Sequence, residues 1–173
     1  MAAPQTSVLT AMNRGFAGMV ADASDADDVR SYVSGEASAE IPFGQMVKQG
    51  TGDDVCLRLS AGTDKLIGIV VHSHAYEKDI ELGDSGLKPK VTVGVLARGK
   101  IWVDVEEAVA VTDAVRVFVS DTGHVAGKFG KTADAGKSLD ISKFARWLTS
   151  TTGAGIAQVE VDMTGRSQAT ADA

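Results

Sequence analysis

From residue 41 onward, short apolar runs alternate with turn residues. Residues 55–59 alternate strictly, which predicts Val55, Leu57 and Leu59 on one face of a strand and Cys56 and Arg58 on the other. Residues 66–72 form a nearly continuous apolar run, the pattern of a strand buried on both faces. Residues 91–105 read as a hairpin turning at Arg98-Gly99, with Val95 across from Trp102 and Leu96 across from Ile101. Short runs follow at 108–111 and 114–119, with Val115, Val117 and Val119 on one face of the second, and the last strands fall at 144–148 and 156–161. Gly50-Thr51-Gly52-Asp53, Gly62-Thr63-Asp64 and Asp121-Thr122-Gly123 supply turns. The polar stretch 77–90 predicts a surface loop, and the Gly- and Lys-rich stretch 125–136 predicts an exposed segment. Helix candidates are weak and confined to 25–32 and 141–148. About nine short strands spaced roughly 8–12 residues apart predict an all-β fold, an antiparallel β-barrel or jelly-roll-like sandwich.

Residues 1–40 lack that punctuation. Two glycines stand within residues 14–20, and 22–28 is acidic and turn-like. This predicts an extended N-terminal arm over 1–40, a barrel or sandwich domain over 41–163, and a flexible polar tail over 164–173. Phe16, Met19, Val29, Tyr32 and Val33 make the arm too apolar to stay in water. It buries them either on a partner or on its own domain.

Composition narrows the function classes. A net charge of −6 and scattered basic residues argue against direct nucleic-acid binding. Cys56 is the only cysteine, so no intrachain disulfide forms, consistent with assembly in a reducing cytoplasm. No apolar run approaches the ~20 residues that span a bilayer, and the start lacks signal-peptide character, so neither membrane nor export is expected.

Candidate chemistry is sparse. His72-Ser73-His74 places two imidazoles on one strand face, and nothing beyond their presence marks His124 or Asp121 as a third metal ligand; two polar residues at a strand end explain the motif more simply. Asp121-Thr122-Gly123 spells the aspartic-protease triplet, but that chemistry needs two carboxylates and hence a dimer, and Asp-x-Gly is also ordinary turn chemistry. Gly130-Lys131-Thr132 ends like a phosphate-binding loop, yet Val125 stands where the motif needs glycine. Paired acids such as Glu106-Glu107 are expected to be solvated. Trp102 and Trp147 read as core or interface anchors. No cofactor and no metal is expected.

A family resemblance rests on three stretches. Met12-Asn13-Arg14-Gly15-Phe16-Ala17-Gly18-Met19-Val20-Ala21-Asp22, then Arg30-Ser31-Tyr32-Val33, then Glu40-Ile41-Pro42-Phe43-Gly44 resemble the opening of tailed-bacteriophage capsid structural cement (decoration) proteins. Leu66-Ile67-Gly68-Ile69-Val70-Val71, the Val-rich stretch 93–103 and Gly153-Ala154-Gly155-Ile156-Ala157-Gln158-Val159-Glu160-Val161 continue the likeness. Thr112-Asp113 departs from it where a Gly-Asp turn is expected. The resemblance implies a non-enzymatic protein, made in the host bacterial cytoplasm, that decorates the outer capsid surface of the virion. Its implied partners are the major capsid protein of the phage head and itself, as dimer or trimer. Within the arm, Phe16, Met19 and Tyr32 are then expected to insert into capsid protein, and Arg14 and Arg30 to pair with its carboxylates. The competing readings are a dimeric aspartic-protease-like enzyme using Asp121, and a β-sandwich carbohydrate-binding or adhesion module. The second would need an exposed aromatic platform from few aromatic residues.

Overall fold

A computed structural model describes residues 15–22, 27–37, 40–74, 86–87, 90–164 and 170–171. Among these there is no α-helix, and the chain forms fourteen strands. The first seven are β1 (Val20–Asp22), β2 (Asp28–Ser34), β3 (Ile41–Pro42), β4 (Met46–Gln49), β5 (Val55–Arg58), β6 (Leu66–Val70) and β7 (Gly86–Leu87). Then come β8 (Thr92–Val105), β9 (Arg116–Phe118), β10 (Phe129–Gly130), β11 (Ser138–Asp140), β12 (Ala145–Trp147), β13 (Gly155–Asp162) and β14 (Thr170–Ala171).

The centre is β8. Its first half pairs antiparallel with β2 on one side and with β6 on the other. Strands β2, β5, β4 and β6 follow in sequence around from it, so the circuit closes into a five-stranded barrel with a single parallel pairing, β2 on β5. The second half of β8 pairs with β1 and with β13, and β13 pairs with β12. Strands β9, β10, β11 and β14 extend the sheet further, with β10 parallel to the end of β8. The all-β barrel expectation holds.

Two cores lie on β8. Val93 and Val95 point into the barrel with Val47, Cys56, Val70 and Phe43. Past Arg98-Gly99, Ile101, Val103 and Val105 join a larger cluster with Phe129, Trp147, Val117 and Val159. The barrel's outward Met46, Ile69 and Leu96 belong to that larger cluster, so one core covers the wall of the other. Phe129 is fully buried and meets the edge of Trp147 at 6.4 Å.

Several expectations are corrected. The expected hairpin is one continuous strand, Thr92–Val105, because a two-residue hairpin favours positive φ at its first central position, which Arg98 resists. On β5 the two-face division leaves the inward side open, and the structure gives it to Cys56, which is fully buried while Val55 and Leu57 are half-buried. Residues 108–111 are no strand: Asp113 Oδ2 accepts the Ala110 N–H at 2.9 Å and closes a turn. The 125–136 stretch buries Ala126 and Phe129 and supplies β10. At the expected tail, Thr170–Ala171 pairs with Leu139 and Asp140.

The largest correction concerns the arm. Its described residues do not form a body separate from 41–163, since β1 and β2 are sheet strands and β2 closes the barrel. Their apolar residues need burial, and the long edges of β8 offer both hydrogen bonds and cover.

Gly68 shows how tightly β6 and β8 approach. Its φ is 152°, and a β-carbon there would lie 2.3 Å from the Leu96 carbonyl oxygen. Gly68→Ala is therefore expected to cost on the order of 2 kcal/mol or more. Urea unfolding should show a lower midpoint at unchanged slope; an unshifted midpoint would mean the barrel yields freely at this contact.

Candidate functional site

The residues that carry the family resemblance meet in space. The Met19 N–H bonds the Phe16 carbonyl at 3.0 Å, turning the chain over Gly18. Gly18 then donates to the Trp102 carbonyl at 2.8 Å, accepts from the His72 N–H at 2.8 Å, and Met19 accepts from the Trp102 N–H at 2.9 Å. Gly18 and Gly44 both have positive φ, 82° and 72°, and a β-carbon on Gly44 would lie 2.7 Å from the Gly18 nitrogen. A β-carbon on Gly15 would lie 2.6 Å from the Trp102 ring. The Gly-Phe-Ala-Gly opening and the Ile-Pro-Phe-Gly strand are thus two halves of an intramolecular clasp.

The clasp decides where the expected capsid-contact residues stand. Arg14 lies outside the described residues. The Phe16 ring is half-buried, edge-on to His72 at 4.5 Å, with His74 at 6.4 Å. Met19 is half-buried beside it. Tyr32 packs partly against the barrel core. Arg30 is exposed, with its guanidinium forked onto Asp28 at 3.1 and 2.7 Å. Arg30 and Tyr32 share one side of β2; the five do not form one cluster.

Two outward faces are left, and only the sheet register reveals them. The first is on the barrel. Val29 (49% exposed), Ser31 and Val33 (36% exposed) share the outer side of β2. Val33 stands between Val55 and Thr92, and Ser31 stands opposite Gly94. None of these side chains carries a charge, so the face is flat, small-residue and apolar.

The second face lies across the other half of β8. Asp22 on β1 is opposite Lys100 on β8, Lys100 is opposite Glu160 on β13, and Glu160 is opposite Arg146 on β12. This is a ladder of alternating charge over four neighbouring strands. Lys100 and Asp22 are 3.1 Å apart, and Arg146 hydrogen-bonds Glu160. In the next row Arg98 lies opposite Asp162 at 3.5 Å. The ladder floors an open cleft of about 630 Å³. Its members lie up to 138 residues apart in the chain, so no local motif announces it.

Comparison with known proteins fits this architecture. Residues 4–162 match the family described as structural cement protein (E217 gp24/Pam3 gp6). The chain belongs to the phage structural cement protein family. The fold of the cement protein is also that of a chain in the capsid of Myoviridae phage XM1, with a TM-score of 0.68 at 23% identity over 90% of this chain and 95% of that one. A search of curated proteins finds no match.

The motifs that hinted at chemistry do structural work in the cement protein. Asp121 Oδ1 accepts from Arg58 at 3.1 Å and from the Ala126 N–H at 2.9 Å, which ties two loops together. Lys131 and Thr132 do cradle an anion, but it is Glu107 of the same chain, which accepts from the Lys131 N–H at 2.7 Å, the Thr132 N–H at 2.8 Å and the Thr132 hydroxyl at 2.7 Å. Glu107 is therefore not merely solvated as expected. His124 stacks on Phe118 at 3.7 Å, with Glu106 and Asp134 at its two nitrogens, 2.7 and 3.2 Å away. Among the described residues no group of three or more His, Cys, Asp or Glu is placed to hold a metal. Burial pushes the Cys56 thiol up to about 11, which leaves it inert at neutral pH.

Burial works to raise the Glu107 pKa, but the hydrogen bonds from Thr132 and Lys131 outweigh it and hold the carboxyl below its ordinary value. A depressed carboxylate stabilises the fold above its unfolded pKa, and that contribution is lost as pH falls through the folded value. The stability advantage of the wild type over Glu107→Gln is therefore expected to be full above about pH 5 and to shrink below it. Urea titrations of both proteins from neutral to acid pH check this; a constant difference would show that the carboxylate charge contributes nothing.

Proposed function

We propose that this cement protein sits on the outer surface of the phage head, bridges neighbouring major capsid subunits, and grips them with the apolar outer face of β2. Its role in the virion is structural, stabilising the capsid, as its family membership states. The observation that carries the gripping site is that, of the four exposed valines among the described residues, Val29 and Val33 share one side of one strand, whereas Val111 and Val125 stand in separate loops. Burying the exposed halves of Val29 and Val33 is worth on the order of 1 kcal/mol each. That is a weak grip for one copy, but repetition over a lattice turns weak contacts into a strong one. A ligand that binds only the expanded shell stabilises that shell by mass action.

Of the residues first expected to touch capsid, Arg30 and Tyr32 lie on the opposite side of β2, paired with the barrel-facing Val95 and Val93, so this grip does not use them. Phe16 and Met19 are reassigned to the clasp, where they hold β1 against β8. A non-enzymatic reading is supported by Asp121, whose carboxylate is taken up by Arg58 and Ala126. A glycan-binding reading is disfavoured by Trp102 and Trp147, both buried. Self-association as a dimer or trimer on the shell belongs to the same proposal.

The test is decoration of expanded, undecorated heads. Val29→Lys with Val33→Lys should weaken binding at least roughly tenfold while circular dichroism stays unchanged. Phe16→Ala should instead lower the thermal midpoint. Full decoration by the folded double-lysine protein would remove β2 from the interface.

A further inference from the structure

We infer that the charge ladder is a self-association surface, and that the cement protein pairs with a second copy about a two-fold axis running along the strands between β8 and β13. This deepens the self-association in the reading above by naming its surface and symmetry; it rests on that reading and takes its geometry from the sheet register.

The order Asp22, Lys100, Glu160, Arg146 reads minus, plus, minus, plus across β1, β8, β13 and β12. A two-fold axis parallel to the strands, placed between β8 and β13, lays this row on its own reverse. Lys100 then faces Glu160 of the second copy, and Asp22 faces Arg146 of the second copy, each contact occurring twice. The next row obeys the same axis, since Arg98 faces Asp162 of the second copy. A two-fold axis perpendicular to the strands would instead lay each charge of the row on itself, so the pattern selects one orientation and rejects the other.

The spacing also selects the occupant. Neighbouring charges in the row are one strand apart, about 4.8 Å. A lone extended peptide repeats its side chains at about 6.8 Å on one face and falls out of step, whereas a second copy of the same sheet has the same spacing. The row is accessible, with Arg146 72% and Asp22 61% exposed in their side chains. The opposed clefts enclose water, as polar interfaces commonly do. Exposed charge pairs are individually weak and screened by salt, so this association is modest and strongest at low ionic strength.

A charge swap separates contacts within the chain from contacts between chains. Lys100→Glu or Glu160→Lys alone places like charges across the axis. The double swap makes the row minus, minus, plus, plus, which opposes its own reverse as well as the original did, while it creates two like-charge neighbours within each chain. Sedimentation equilibrium at low salt should show a wild-type dimer that high salt dissociates. Each single variant should associate at least roughly tenfold more weakly, and the double variant should recover to within about threefold of wild type even though it unfolds at lower urea. If one single variant does not fold, the other and the salt series carry the test. A wild type that stays monomeric at low salt, or a folded double variant that stays dissociated, overturns the proposal. Decoration of heads is scored separately: binding by the monomeric single variants leaves the capsid reading standing, and failure of the dimeric wild type to decorate counts against the capsid reading while the dimer stands.

Discussion

Everything in this fold depends on β8 staying extended. Over roughly 45 Å one strand supplies the seam that closes the barrel and the wall that carries the larger core. Val93 and Val95 face one interior, while Ile101, Val103 and Val105 face the other. The same strand sets both outward faces, because its partners β2 and β13 lie at opposite ends of it. A break at Arg98-Gly99 would not merely loosen a turn; it would uncouple the apolar face from the charged one.

The clasp explains why the opening sequence is what it is. Gly15, Gly18 and Gly44 are small where backbone meets backbone or the indole of Trp102. Trp102 binds Gly18 and Met19 through its own main chain, so the segment before β2 becomes an added strand. For a cement protein this is a sensible arrangement. A rigid body that presents fixed faces loses less entropy on docking than a floppy arm would, and small contacts then suffice when repeated.

Much of the fold was legible in the sequence because valine-rich runs between Gly and Asp turns have few other solutions. Val115, Val117 and Val119 are all buried as their spacing required. The failures have physical causes. In residues 55–59 apolar side chains fall on both faces, so alternation cannot say which face a closed barrel turns inward. The Arg98-Gly99 pair resembles a turn locally, but pairing on both sides of β8 overrides it. The contact of Gly18 with Gly44 spans 26 residues, and the rungs of the charge ladder span from 14 to 78. Such sites are made by register, which no single stretch encodes. Arg30 and Tyr32 lie on the strand that bears the exposed valines, but on its other side. Phe16 and Met19 stand in the turn that leads into β1.

The most direct measurement is a map of the decorated head at side-chain resolution. It should show capsid protein covering Val29 and Val33 while the Phe16–Gly18 turn stays closed on Trp102 and His72 within the same chain. A map in which the β2 valines face solvent, or in which residues 15–22 leave β8 and cross to a neighbouring subunit, would contradict the account.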